Sequence, residues 1–212
     1  MDPCALNDEF PQYLLPEIAK LGIVGADCPK SVGGQGLSCV DMGPVMYELA
    51  SKDASIAAFF LLHNSLGNYA VARLAKDNLR SQILAETFSL NKIIGWAITE
   101  PKSGSKVHTT ATKFEGGYVL NGHKKIIGNN IDPDFLLVWA RNASEHGKIQ
   151  CFLVRKDAKG LSRRQLGQKS NLRAVQHGHF VLNNVIVPEN ERLCKAKDFE
   201  TCTKDILKHF WI

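Results

Sequence analysis

The hydrophobic pattern of this chain changes period near Asn91, and that change limits the fold more than any other feature of its 212 residues. Before Asn91, apolar residues recur three and four positions apart, the spacing of a helix with one buried face. After it, they come in short runs rich in β-branched and aromatic residues, the composition of strands. A chain divided in this way predicts an α+β fold, with a helical unit followed by an antiparallel β-sandwich or barrel.

In the first part, Asp8 to Leu21 carries Phe10, Leu14, Leu15, Ile18 and Leu21 as an amphipathic stripe that Gly22 can end. The segment Ala26 to Leu37, with Pro29 and three glycines, predicts a loop. Met42, Val45, Met46 and Leu49 then give a second helix. Asp53 is the N-cap expected for a third, Ala54 to Ala75, whose first half is apolar all round and so predicted to be buried. Asp77 is the cap expected for a fourth, through Leu84.

In the second part the strand runs are Ile93 to Glu100, Thr109 to Glu115, Tyr118 to Asn121, Lys124 to Ile127, Phe135 to Ala140, Ile149 to Arg155 and Gly178 to Val187. Gly116-Gly117, Asn121-Gly122, Gly147 and Gly160 read as the turns between them. No G-x-G-x-x-G stands between a strand and a helix, so a Rossmann site is not supported. From Cys194 onward, Phe199, Thr203, Ile206, Leu207 and Phe210 predict one last helix.

Charge and cysteine usage exclude several classes. The net charge of +5 is mild, and its cations are scattered apart from clusters such as Lys124-Lys125 and Arg163-Arg164, with no interleaved aromatics to suggest nucleic-acid binding. Cys4, Cys28, Cys39, Cys151, Cys194 and Cys202 form no C-x-x-C pair, which argues for free thiols rather than a zinc site or a disulfide framework. His177 and His179 share one strand face by alternation, but two imidazoles make a poor metal site. No G-x-S-x-G elbow suggests a hydrolase. No secretory leader and no membrane-length apolar run is expected.

The stretch with most chemical promise is Trp96 to Ser105, W-A-I-T-E-P-K-S-G-S. Pro101 lacks an N–H and biases Glu100 towards an extended conformation, so the strand should stop there and a small Gly/Ser loop should follow. Backbone amides in such a loop make a concave anion site, with the hydroxyls of Thr99, Ser103 and Ser105 beside them.

This stretch resembles the T-E-P-x-x-G-S signature of the acyl-CoA dehydrogenase and acyl-CoA oxidase family. Other segments agree in order: Gly33-Gly34-Gln35-Gly36-Leu37-Ser38, Lys52-Asp53-Ala54-Ser55 and His63-Asn64-Ser65-Leu66-Gly67. Asn121-Gly122-His123-Lys124-Lys125-Ile126-Ile127-Gly128-Asn129 is similar to the family's N-G-x-K-x-W-I-x-N strand. Asn171-Leu172-Arg173 and Asn184-Val185-Ile186-Val187-Pro188 are similar to the end of its β-domain. Within the family the likeness is greatest to plant peroxisomal short-chain acyl-CoA oxidases and then to glutaryl-CoA dehydrogenases.

The resemblance implies an N-terminal helical domain over 1–91, a flavin- and acyl-CoA-binding β-domain over 92–190, and over 191–212 the start of a helical bundle that these residues do not complete. It implies FAD as cofactor, bound by Trp96, Ile98, Thr99, Gly104, Ser105, Ile126, Ile127 and Gly128, with Ser105 also meeting the acyl-CoA. It further implies α,β-dehydrogenation of an acyl-CoA thioester in fatty-acid β-oxidation, association with subunits of the family, and a peroxisomal location. Phe210-Trp211-Ile212 is not a peroxisomal address of the S-K-L kind, so the alternative location is the cytoplasm. Two departures stand out: Ile126 replaces the Trp that leads the family strand, and Lys106 replaces the Asp that commonly follows G-S. The family's catalytic Glu belongs to the helical bundle, and Glu100, the one acid of the signature, faces away by alternation if Thr99 faces the flavin. No catalytic residue is therefore expected here. The alternative reading is a non-catalytic remnant that at most binds FAD, CoA esters or full-length subunits.

Overall fold

A computed structural model describes residues 9–101, 106–129, 133–167, 169–193 and 199–210. Pro11 and Pro16 have no N–H to give to a preceding turn, so they stand at helix starts rather than inside one. Helix α1 is accordingly Leu15–Lys20, entered through a 3₁₀ turn at Gln12–Leu14, and is shorter than the predicted Asp8 to Leu21. Helix α2, Cys39–Lys52, opens with a capping box in which the Ser38 hydroxyl accepts from Asp41 N at 3.2 Å and the Asp41 carboxylate accepts from Ser38 N at 2.9 Å. Its inner residues Met42, Val45, Met46 and Leu49 pack with Phe10, Ile18, Phe59 and Phe60, as their spacing predicts.

Asp53 caps α3, Ala54–Leu61, accepting from Ser55 N at 2.6 Å and Ile56 N at 3.0 Å. The helix then widens into a π segment, Leu62–Asn68, before α4, Tyr69–Leu74. Residues 63–68 are all buried, and the polar side chains of His63, Asn64 and Ser65 find partners outside the helix. Asn64 Nδ2 donates to Asp27 at 2.8 Å, Ser65 Oγ donates to the other Asp27 oxygen at 3.1 Å, and Asn64 Oδ1 accepts from Gly25 N. Helix α5 is Asp77–Phe88, in which Asp77 is the first helical residue, pairing with Arg80 at 2.8 Å, while Lys76 occupies the cap position without capping.

The β-domain is one curled eight-stranded sheet: β1 Ile94–Ala97, β2 Thr110–Phe114, β3 Gly117–Ile127, β4 Phe135–Asn142, β5 Lys148–Arg155, β6 Leu161–Gln165, β7 Gly178–Pro188 and β8 Arg192–Leu193. Its order is β6-β7-β3-β2-β4-β5-β8, and β1 pairs with β4. The pairings β1 with β4 and β2 with β4 are parallel, so the sheet is mixed rather than wholly antiparallel. Asn121-Gly122 is not a turn: it lies inside β3, where the register with β7 shifts, so two predicted runs form one strand. Strand β6 escapes prediction because Leu161 is its one apolar residue.

The concave side holds Tyr118, Leu120, Val138, Phe152, Phe180 and Val187, among others. The outer side of β1, β4 and β5 packs on α4, α5 and the π segment, where Trp96 meets Trp139 edge-on at 5.4 Å. The last helix, α6 at Phe199–Phe210, seals this layer by placing Phe199 on Trp139 at 5.2 Å and burying Ile206. Each large apolar side chain buried in this way contributes about 1.5 to 3 kcal/mol.

Two residues set how closely helix and sheet approach. A Cβ on Gly67 would fall 2.2 Å from Ile94 Cγ2, so only glycine permits that contact. Fully buried His63 accepts from Ile94 N through Nδ1 at 3.3 Å, and its Nε2–H donates to Thr87 O at 2.9 Å. The ring is therefore neutral. Burial lowers its pKa from 6.5 to about 4, outweighing the opposing pull of the Thr87 carbonyl.

Because the folded pKa is depressed, His63 stabilises fully above pH 6.5 and progressively less down to about pH 4, a loss of about 3 kcal/mol. Urea unfolding of the wild type and of His63→Gln between pH 8 and 4 tests this: the stability difference should shift by that amount towards the variant below pH 6.5. A difference independent of pH would show that His63 does not titrate on unfolding.

Candidate functional site

The residue after Thr99 fixes the geometry of the site. Glu100 and Lys124 are buried and pair at 2.7 Å. The Lys124 ammonium also donates to Trp139 O at 2.6 Å and Ile98 O at 3.2 Å, so its three protons have three acceptors. Glu100 accepts, besides, from Thr109 N at 2.9 Å, Thr109 Oγ1 at 2.6 Å and His108 N at 2.6 Å. Burial alone raises the Glu100 pKa, but the hydrogen bonds from Lys124, Thr109 and His108 together outweigh it and hold the carboxyl below its usual range. Glu100 is thus a strand clamp and a poor proton acceptor. It also joins the two ends of segment 101–107, against which Arg141 Nη2 donates to Val107 O at 3.3 Å.

With Glu100 turned inward, Thr99 is exposed. Its carbonyl accepts from Lys125 N at 2.9 Å, which brings it beside the end of β3. There Ile126 takes φ +55° and remains 53% exposed, while Ile127 is 1% exposed and points into the sheet interior. A β-branched side chain at positive φ is strained by roughly 1 to 2 kcal/mol, and such strain persists where the surroundings impose it. Gly128 follows, and a Cβ there would meet Leu62 Cδ1 of the π segment at 2.4 Å. The helical layer therefore closes directly on the end of β3.

The structure brings Ile98, Thr99, Ile126, Ile127 and Gly128 to one corner between β1 and β3, although some 27 positions separate them in sequence. Trp96 is set apart by its burial against Trp139, and Ile127 by its inward side chain. Gly104 and Ser105 lie outside the described residues; Lys106 is exposed. The Thr99 hydroxyl and the flank of Ile126 together offer a polar atom beside an exposed apolar surface, which suits the edge and face of a flat heteroaromatic ring such as a flavin. Lys124 and its pairing with Glu100 escaped sequence reading, where Lys124-Lys125 reads as a basic surface cluster. The lone signal was a carboxylate placed in an otherwise apolar strand run.

The family models for the acyl-CoA dehydrogenase N-terminal domain and middle domain match residues 2–90 and 95–185. The chain belongs to the acyl-CoA dehydrogenase/oxidase superfamily. It is 31% identical over 191 residues to benzylmalonyl-CoA dehydrogenase of Aromatoleum aromaticum, covering 89% of this chain and 50% of that protein. It is 37% identical over 161 residues to the mitochondrial isobutyryl-CoA dehydrogenase of Dictyostelium discoideum, covering 74% of this chain and 38% of that protein. A glutaryl-CoA dehydrogenase from Mycobacterium smegmatis, solved in complex with FADH2, superposes with a TM-score of 0.89 at 26% identity, over 97% of this chain and 53% of that one. The chain thus spans about half the length, or less, of these curated relatives.

Among the described residues no group of three or more His, Cys, Asp or Glu could hold a metal, and no helix is long and apolar enough to cross a membrane. His177 Nδ1 instead contacts the Lys169 ammonium at 3.2 Å and Val175 O at 3.1 Å; burial first, then Lys169, lowers its pKa.

Breaking one half of the Glu100–Lys124 pair leaves a buried charge short of its partner, at a cost of about 3 to 5 kcal/mol. Lys124→Met and Glu100→Gln should each lose that much in urea unfolding, and the double variant should recover part of it. Additive losses would mean that the two side chains act independently.

Proposed function

We propose that these 212 residues form the flavin- and acyl-CoA-binding half of an acyl-CoA dehydrogenase or oxidase, and that by themselves they bind without turning over. The observation that supports the binding reading is the corner at Thr99 and Ile126, where an unburied hydroxyl and a strained, exposed apolar side chain are held together by the Lys125 N–H. The likeness to a glutaryl-CoA dehydrogenase in complex with FADH2 supports flavin as the ligand. Thr99 would donate to the ring, Ile98 and Ile126 would cover its face, and Gly104 and Ser105, as the resemblance implies, would meet phosphates or the thioester end of the substrate.

The flavin, when bound, supplies a hydride acceptor for the β-carbon of an acyl-CoA. What this half contributes is orientation and the exclusion of water from one face. Removing the α-proton needs a free carboxylate base, worth roughly 10² to 10⁴ in rate. Glu100 is unsuited to it, being buried and hydrogen-bonded through both oxygens. Chemistry would therefore require a helical region supplied beyond these residues or by another subunit. The two family activities share this dehydrogenation and differ in what reoxidises the flavin, an electron-transfer partner or dioxygen; the named dehydrogenase relatives support the dehydrogenase.

Titration of FAD with the purified chain, followed by quenching of flavin fluorescence, should give saturable binding. Assay with acyl-CoA and an artificial electron acceptor should give no turnover. No quenching at any protein concentration sinks the binding reading, and turnover by the chain alone sinks the non-catalytic one. Ile126→Asn, which tolerates positive φ, should raise stability by roughly 1 kcal/mol while weakening flavin about threefold through lost apolar contact. Unchanged flavin affinity in that variant would remove Ile126 from the site.

A further inference from the structure

Strand β6 ends the sheet, and among the described residues it pairs with β7 alone. Antiparallel neighbours alternate between residues that exchange backbone hydrogen bonds and residues that do not. Asn183 N donates to Gly160 O at 3.0 Å and Leu166 N donates to His177 O at 2.8 Å, both in the register of the β6–β7 pair. By alternation, Ser162 and Arg164 between them are also bonded to β7. Arg163 and Gln165 therefore turn their N–H and C=O groups the other way, along the open edge of the sheet. All four residues from Ser162 to Gln165 are exposed. An edge of this kind is a template for one further strand.

Charge decides which strand that can be. Residues 158–188 contain Lys159, Arg163, Arg164, Lys169 and Arg173 and no Asp or Glu. Antiparallel pairing of β6 with β6 of a second copy about its centre sets Arg163 opposite Arg163, and the next register that keeps the open-edge groups facing sets Arg164 opposite Arg164. Like charges directly opposite one another destabilise a strand pair, so self-pairing is opposed. A strand bearing carboxylates is favoured on either of its faces. Phe180 points into the sheet interior, so its register partner Arg163 lies on that side of β6, and Arg164, registered with His179, lies on the other. The outer side also has room for incoming side chains, in a groove of about 510 Å³ whose lining includes Arg164, Leu166, His179 and Val181.

We propose that the open edge of β6 is a docking site for an extended acidic segment of a partner protein, which adds a strand to the sheet through the backbone of Arg163 and Gln165 and sets its carboxylates against Arg163 and Arg164. In strand addition of this kind, backbone bonds supply affinity and side chains supply selectivity. The site goes beyond the flavin and acyl-CoA reading and is independent of it.

The ¹⁵N-labelled 212-residue chain is titrated with a heptapeptide of alternating threonine and glutamate, its ends blocked, and with the same peptide carrying lysine or glutamine in place of glutamate. The glutamate peptide should bind saturably, more weakly in added salt. At saturation it should slow amide exchange with deuterated water at Arg163 and Gln165 by about tenfold, with little change at Ser162 and Arg164, whose amides already serve β7. Arg164→Gln should raise its Kd about three- to fivefold, whereas Lys148→Gln, at an exposed position on β5, should leave it unchanged. Gln165→Pro removes an edge donor without breaking a bond to β7, and should abolish binding while the remaining amide spectrum is retained; if that variant does not fold, the Arg164→Gln and exchange readouts decide. Equal binding of the lysine or glutamine peptide would overturn the acidic assignment. A glutamate peptide that does not bind, or binds without protecting Arg163 and Gln165, would overturn the site and reduce the arginines to guards that keep the edge unpaired. Dimers of the chain alone in sedimentation, abolished by Gln165→Pro, would make a second copy the occupant and overturn the proposal as well.

Discussion

The buried ion pair between Glu100 and Lys124 is the interaction on which the geometry of the site depends. A charge placed in an apolar interior is tolerated only when its hydrogen-bonding capacity is met, and here it is met by groups drawn from several strands. The ammonium takes carbonyls from Ile98 and Trp139, and the carboxylate takes the amides of His108 and Thr109 and the Thr109 hydroxyl. The end of β1, the approach to β2, the middle of β3 and the middle of β4 therefore meet at one point. Once Glu100 is held inward, the next residue back along the chain, Thr99, is left outward beside Ile126. The same contacts that build the corner disqualify Glu100 as a base, so positioning and proton abstraction fall to different parts of the protein.

A second constraint sets the helical layer against the sheet. The π segment turns polar side chains towards Gly25 and Asp27 in the connection between α1 and α2, and Gly67 admits the Ile94 side chain at close range. His63 joins α5 to β1 through a neutral ring, because its Nδ1 must remain an acceptor for Ile94 N. Leu62, the one residue of the π segment's first turn that is not fully buried, covers Gly128 at the end of β3. Helix packing and site shape are thus one problem: a shift of the helical layer would open the corner from below.

Several features were legible from residue order. The change of period at Asn91, the Asp53 cap and the inner face of α2 all depend on neighbours within a few positions, and the structure has them as read. The boundaries were less so. Asp77 starts a helix without capping it, and Asn121-Gly122 offered the composition of a turn while lying within a strand whose register shifts. Strand β6 carries Ser162, Arg163, Arg164 and Gln165, a run with no alternating apolar signal, because as an edge strand it is held by backbone pairing to β7 rather than by burial.

The sequence alone determined that a helical part precedes a strand-rich one, where most of their elements lie, where the signature lies, and to which family the order of motifs points, since each of these is written in short-range spacing. Only the tertiary structure decided which cation is buried and which is free. Lys124 and Lys125 are chemically alike and adjacent, but the pleat sends one to a carboxylate 24 residues away and leaves the other only partly buried. That outcome follows from strand register, which is set by long-range pairing and the exclusion of unpaired charge from the interior, and no local pattern encodes it.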